Sequence, residues 1–172
     1  MYTTRRPHIA DLKTVSIFRE CTPRELRMID GLATRVEVPA GRVLCVEGEI
    51  GSEFCLILRG SAYVERGGRR VARLGPGETF GELALLGRNA LNRRMATVVA
   101  AEQTRLVVLS RAEFNTMLDQ VPSVMRRMLE KVSNMLVTLA AENARFGDRS
   151  TPVVPASIEI SDPHDMVVLT AQ

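Results

Sequence analysis

The sequence predicts a mainly β domain flanked by helices, its strands forming an antiparallel sandwich or barrel. From Ala33 to about Ser110 the apolar residues fall in eight or so short runs, alternating or continuous, broken by glycine-containing turns every eight to twelve residues. Before and after that region the apolar spacing is helical instead. The helical segments also carry start signals of their own: Thr22-Pro23-Arg24-Glu25 and Ser110-Arg111-Ala112-Glu113 each place a hydroxyl three residues ahead of a glutamate.

Taken in order, Leu12, Val15, Ile17 and Phe18, then Leu26, Met28 and Ile29, predict a small helical lead-in, with Pro23 in the first turn of its second helix and an end near Gly31. The strand runs are Val36–Val38, Arg42–Val46, Phe54–Leu58, Ser61–Arg66, Arg69–Leu74, Met95–Ala100 and Thr104–Leu109. Gly67-Gly68 between two of them predicts a tight hairpin. Ser110 opens a short helix to about Gln120, and Pro122 opens a longer one to about Phe146. On the long helix Met125, Met128, Leu129, Val132, Met135, Leu136 and Leu139 recur at steps of three and four, an apolar face for its own core or for a seam with a second copy. Residues 11–146 are thus one domain, with strands at about 33–110 and the closing helices at about 111–146. Residues 147–172 are expected to be a flexible acidic tail of net charge −3, bearing prolines 152, 155 and 163 and a short apolar run at 167–169, against +3 for the whole chain.

Composition narrows the function. Hydrophobic residues make up 45% of the chain and charged ones 25%, ordinary values for a water-soluble domain. No apolar run reaches the length of a membrane span, and Arg5 and Arg6 are not followed by the apolar block of a secretory signal, so a cytoplasmic location is expected. Three cysteines (Cys21, Cys45 and Cys55) without CxxC spacing, and histidines only at His8 and His164, argue against disulfides, metal and cofactor. No histidine lies between Ala33 and Leu109, so the His/carboxylate metal triad of a barrel enzyme is missing, and a binding module is expected, not an enzyme. The basic residues are almost all arginine, Lys13 and Lys131 being the two lysines, and they are scattered, without the clustered stripe of a nucleic-acid binder.

The stretch that carries chemistry is Phe80-Gly81-Glu82-Leu83-Ala84-Leu85-Leu86, followed after a connector at 87–93 by Arg94-Met95-Ala96-Thr97-Val98. A glycine turn leaves backbone N–H groups free to cradle an anion, a carboxylate accepts from sugar hydroxyls, and an arginine is a permanently charged phosphate binder. Together they suit a small molecule that carries both a sugar hydroxyl and a phosphate.

These residues, with Leu44-Cys45-Val46-Glu47-Gly48-Glu49-Ile50-Gly51 leading to Phe54-Cys55-Leu56-Ile57-Leu58-Arg59-Gly60, resemble the cyclic-nucleotide-binding domain shared by the bacterial catabolite activator and the regulatory subunit of cyclic-AMP-dependent protein kinase. The resemblance covers roughly Leu12 to Phe146 and implies an antiparallel β-roll of the jelly-roll or barrel type, closed by a hinge helix and a long helix. It implies Glu82 on the ribose 2′-hydroxyl, Gly81 admitting the backbone, the N–H groups of Leu83 and Ala84 on the cyclic phosphate, and Arg94 pairing with its charge beside the N–H groups of Met95 and Ala96. Cys55 departs from the pattern, which usually has a larger apolar residue there. Arg93 stands where the family usually has proline, leaving open which of the two arginines is used. Met95 stands where a small residue is usual and a threonine would favour cyclic GMP, so cyclic AMP is favoured, with cyclic GMP the other candidate ligand. An ungapped register places Leu139, with Thr138 beside it, at the base-capping position. The resemblance also implies a homodimer through the 122–146 helix. The activator's DNA-reading segment has no counterpart in 147–172, so the expectation is a sensor that binds no DNA and answers to a protein effector, its ligand moving the C-terminal helix. The alternatives are an interaction or dimerisation module with a vestigial pocket, and the regulatory fragment of a larger effector.

Overall fold

The computed structural model describes residues 9–87 and 92–146. The lead-in comprises α1 (Ile9–Lys13), a single 3-10 turn at Ser16–Phe18, and α2 (Pro23–Leu32). Thr22 caps α2 as expected: its hydroxyl accepts from Glu25 N–H, and the Glu25 carboxylate accepts from Thr22 N–H. That second bond, with the Thr22 hydroxyl behind it, holds the Glu25 carboxyl below its usual range.

Eight strands follow: β1 (Thr34–Val38), β2 (Val43–Cys45), β3 (Glu53–Arg59), β4 (Ala62–Arg66), β5 (Arg69–Leu74), β6 (Thr79–Phe80), β7 (Thr97–Ala100) and β8 (Thr104–Ser110). Among the described residues they form two four-stranded sheets, ordered β1-β8-β3-β6 and β2-β7-β4-β5, with every pairing antiparallel. The arrangement is the expected β-roll, built as two facing sheets. Gly67 and Gly68 both take positive φ (55° and 74°), the backbone a two-residue hairpin between β4 and β5 requires. Two details differ from the sequence reading. Thr79–Phe80 pairs with Cys55 and Leu56 as a strand in its own right, too short to show a period. Met95 and Ala96 precede β7 instead of opening it.

The continuous apolar run of β3 is explained by burial on both faces. Phe54 and Leu56 enter a core with the helices, formed with Leu12, Phe18, Leu26, Ile29 and Phe114. Cys55 and Ile57 point the other way, into the space between the sheets with Val38, Phe80, Val98 and Leu106. The rings of Phe54 and Phe114 lie 4.9 Å apart and tie α4 (Arg111–Gln120) to the sheet. Its cap is again reciprocal, Ser110 with Glu113. The third cysteine position shows the same burial logic: all three thiols are free, and burial pushes Cys55 up to about 12.

The long helix α5 (Pro122–Phe146) starts at the expected proline. Its apolar residues do not form one buried face. Val124 and Met128 are fully buried in the core, with Met125 packed against it, whereas Leu129, Met135, Leu136 and Val137 are exposed. Glu20 bridges to both Arg126 and Arg127 and fixes the first turns of the helix to the lead-in. No helix among the described residues is long and apolar enough to cross a membrane. The expectations about 147–172, and about Arg5 and Arg6, fall outside the described residues.

Candidate functional site

Three segments build the site: the loop between β2 and β3, the short helix α3 (Glu82–Leu86) after β6, and the approach to β7 at Arg93–Ala96. Gly48–Gly51 is zipped to Asn92–Arg94 by backbone bonds: Gly48 N–H to Arg94 O (2.9 Å), Arg94 N–H to Glu49 O (2.8 Å) and Gly51 N–H to Asn92 O (2.9 Å). This pairing settles the directions of the two adjacent arginines. Arg93 is exposed and donates to the Gly48 carbonyl, 2.7 Å away. Arg94 turns inward, keeps only 7% of its surface exposed, and donates from Nη1 to the Glu53 carbonyl at 2.8 Å. No carboxylate pairs with it among the described residues. A guanidinium that has given up most of its water without gaining an anion is a strong demand for one.

Gly81 sits directly against that guanidinium. Its φ is 91°, and a side chain there would place Cβ 2.3 Å from Arg94 Nη1 and 2.5 Å from the Glu53 carbonyl oxygen. Both the backbone conformation and the space therefore require glycine. Gly51 is held to the same standard from the other side, where a Cβ would lie 2.4 Å from that of Ala84. Gly81 is also the N-terminal cap of α3, and no side chain caps the helix. The first N–H groups of a helix have no partner within it, so Glu82, Leu83 and Ala84 offer donors beside Arg94.

Glu82 is the second unusual charge. It is 3% exposed, and its two oxygens differ: Oε1 accepts from Lys131 Nζ at 2.6 Å, and Oε2 is buried without a partner among the described residues. The same ammonium donates to Thr79 O (2.8 Å) and Thr79 Oγ1 (2.5 Å), so its three protons go to three oxygens of β6 and α3. A buried acceptor left open is a place where a ligand hydroxyl would be satisfied.

The remaining expected residues are placed as follows. Leu83 and Ala84 lie in α3, with Ala84 buried. Met95 is 53% exposed, and its carbonyl accepts from Arg66 Nε at 3.2 Å. Ala96 is half-buried, its carbonyl facing the Cys45 thiol at 3.6 Å. The connector residues 88–91 lie outside the described residues. Of the two candidate base-capping residues, Thr138 is exposed and donates to the Asn134 carbonyl on its own helix (3.0 Å), and the side chain of Leu139 lies outside the described residues. Sequence reasoning missed Thr79 and Lys131. The one available signal was that Lys131 is a lysine in a chain that otherwise uses arginine almost throughout.

The model of the cyclic nucleotide-binding domain family matches residues 35–121, half of the chain, and the chain belongs to that family. It is similar to the Pycsar effector protein XpPycTIR of Xanthomonas perforans, 34% identical over 116 residues that cover 64% of this chain and 38% of that protein. It is similar also to the Cyclic AMP receptor protein of Thermus thermophilus, 30% identical over 146 residues, covering 78% of this chain and 66% of the relative. The chain thus spans between about two fifths and two thirds of the length of these relatives. Among solved structures, cAMP-bound PfPKA-R superposes with a TM-score of 0.65 at 26% identity, covering 77% of this chain and 46% of that one.

Proposed function

We propose that this chain is a regulatory sensor module that binds a 3′,5′-cyclic nucleotide, cyclic AMP in preference to cyclic GMP, at the site formed by Gly81, Glu82, Leu83, Ala84, Arg94, Met95 and Ala96. One observation carries the reading: among the described residues, a buried Arg94 without a carboxylate and a buried Glu82 oxygen without a donor flank the same glycine. A ligand with an anionic phosphate next to a sugar hydroxyl satisfies both at once. The phosphate is received by the guanidinium and by the open N–H groups of α3, and the 2′-hydroxyl donates to Glu82 Oε2. The preference for cyclic AMP rests on Met95, which lacks the hydroxyl that would bond a guanine, and agrees with the cyclic AMP receptor and the cAMP-bound structure to which the chain is similar.

The output follows from Glu82 as a junction. Its Oε1 is tied to Lys131 on α5, so occupancy at Oε2 is felt by the helix through one carboxylate. Ligand-driven movement of α5 is the proposed signal. It requires that the ligand bind the two helix positions unequally. The exposed Leu129, Met135, Leu136 and Val137 favour α5 as the surface that meets a second copy or a protein effector. No reaction is assigned to the module. The similarity to part of a Pycsar effector favours a larger effector under its control.

Isothermal titration with cyclic AMP tests the reading. Saturable binding by the wild-type chain, weakened at least about tenfold by Glu82→Ala, is expected. No heat at millimolar nucleotide would leave an interaction module with a vestigial pocket.

A further inference from the structure

Arg111, the first residue of α4, lies behind the site and not in it. Its guanidinium donates to three backbone carbonyls: Nη1 to Leu85 O (3.0 Å), and Nη2 to Ala84 O (3.0 Å) and Gly51 O (2.7 Å). Two of these acceptors are at the C-terminal end of α3, where a helix leaves its carbonyls unpaired and its dipole is negative. The third belongs to the loop whose backbone holds Arg94 in place. One side chain therefore grips both walls between which the proposed phosphate is received. The grip has a firm base. Arg111 N–H donates to Ser52 O (2.8 Å), Ser110 pairs with Glu53 across β8 and β3, and the Ser110–Glu113 cap fixes the first turn of α4.

A five-residue helix cannot hold its own direction, since its few internal bonds do not offset the cost of nucleation. What aims the N–H groups of Leu83 and Ala84 must be its attachments. At the N-terminal end these are Gly81 against Arg94 and Glu82 on Lys131, both of them parts of the site itself. At the other end Leu85 is buried in the core shared with the helices, which anchors α3 without directing it, and Arg111 is the group that binds its carbonyls. We propose that Arg111 is a positioning residue for the cyclic-nucleotide site, fixing the spacing and angle between α3 and the Gly51–Arg94 wall without touching the ligand. The proposal rests on the functional reading above.

The test compares wild type, Arg111→Met and Arg111→Lys by titration with cyclic AMP, and follows backbone amides by NMR at a temperature where all three are folded. Arg111→Met keeps the aliphatic stem and removes every donor. It is expected to weaken binding by about tenfold or more, comparable to losing a charge-assisted contact. In the ligand-free protein the hydrogen-bonded amides of residues 85–87 should exchange faster while those of β3 and β8 do not change. Cyclic AMP should shift the Leu83 and Ala84 amides less than in wild type, the Arg94–Ala96 shifts persisting. Arg111→Lys, a point charge that cannot span all three carbonyls, should fall between the two. If Arg111→Met does not fold, the lysine variant decides. Binding within twofold of wild type with unchanged exchange at 85–87, in whichever variant folds, overturns the role of Arg111 alone. Failure of the wild-type protein to bind overturns the functional reading and the positioning role with it.

Discussion

At the scale of single residues, the site is defined by two charges that the fold buries and leaves incomplete. Arg94 illustrates what that means for mutation. Replacing it with leucine removes a guanidinium whose desolvation is offset, among the described residues, by the Glu53 carbonyl alone, so the ligand-free protein should lose little stability. Nucleotide binding should fall at least about tenfold, the worth of one charge-assisted contact. Arg93→Leu should bind within about twofold of wild type, because that side chain is exposed and spends its donor on the loop. Calorimetric titration of the two variants checks the pair, and the opposite ranking would mean that the wrong arginine has been assigned. This is also where the sequence runs out. Glycine, glutamate and arginine at these positions were legible as a candidate sugar-phosphate site because each type has a distinct chemistry. Which of two neighbouring arginines points inward was not, since the segment before β7 is irregular and has no period. Its direction is set by Gly48, Glu49 and Gly51, forty-odd positions earlier in the chain.

At the scale of elements, α5 is attached to the rest of the domain by charge as well as by Val124 and Met128. Lys131 is about a third exposed and Glu82 almost wholly buried, so Lys131→Met should cost about 1–3 kcal/mol, less than a fully buried pair because water reaches the ammonium. Combining it with Glu82→Gln, which removes the stranded charge, should recover roughly 1 kcal/mol in a double-mutant cycle by denaturant unfolding. Full additivity would show that the pair is uncoupled. Glu20 makes a test with a pH sign. The hydrogen bond from Arg127 leads the causes, with Arg126 adding to it, that hold its carboxyl below the usual value of 4.5. A carboxyl with a depressed folded-state pKa contributes stability that is present above its unfolded pKa and lost as pH falls through the folded one. Glu20→Gln should therefore lower Tm at pH 7, and the difference from wild type should shrink as pH falls below the ordinary glutamate value of about 4.3 and vanish once pH lies below the depressed folded-state pKa. A difference that persists in acid would assign Glu20 a packing role instead. The two capping boxes and the start of α5 were legible because caps are local. The fate of the methionine-rich stripe was not: three- and four-residue spacing gives a face, but tertiary packing decides where along the helix that face stops being covered.

At the scale of the whole molecule, two sheets and a helical cap enclose cores on both sides of β3, and the site hangs from the edges of those elements. The folded state thus contains the site and the unfolded chain does not, so ligand binding and global stability are linked. At a nucleotide concentration a hundred times Kd, linkage adds about 2.7 kcal/mol. For a domain of this size each kcal/mol shifts Tm by roughly 2–4 °C, so cyclic AMP should raise Tm by about 5–11 °C. Cyclic GMP at the same concentration should raise it less, and in the Arg94→Leu variant a tenfold or greater loss of affinity should cut the cyclic AMP shift to about half or less. The shift must also be distributed in a particular way. If Glu82 relays occupancy through Lys131, slowed hydrogen exchange in the liganded protein should extend from residues 82–86 into α5 at 122–146, and Lys131→Met should confine it to 82–86. A thermal shift with α5 exchange unchanged would keep the module as a cyclic-nucleotide binder and remove the helix as its output.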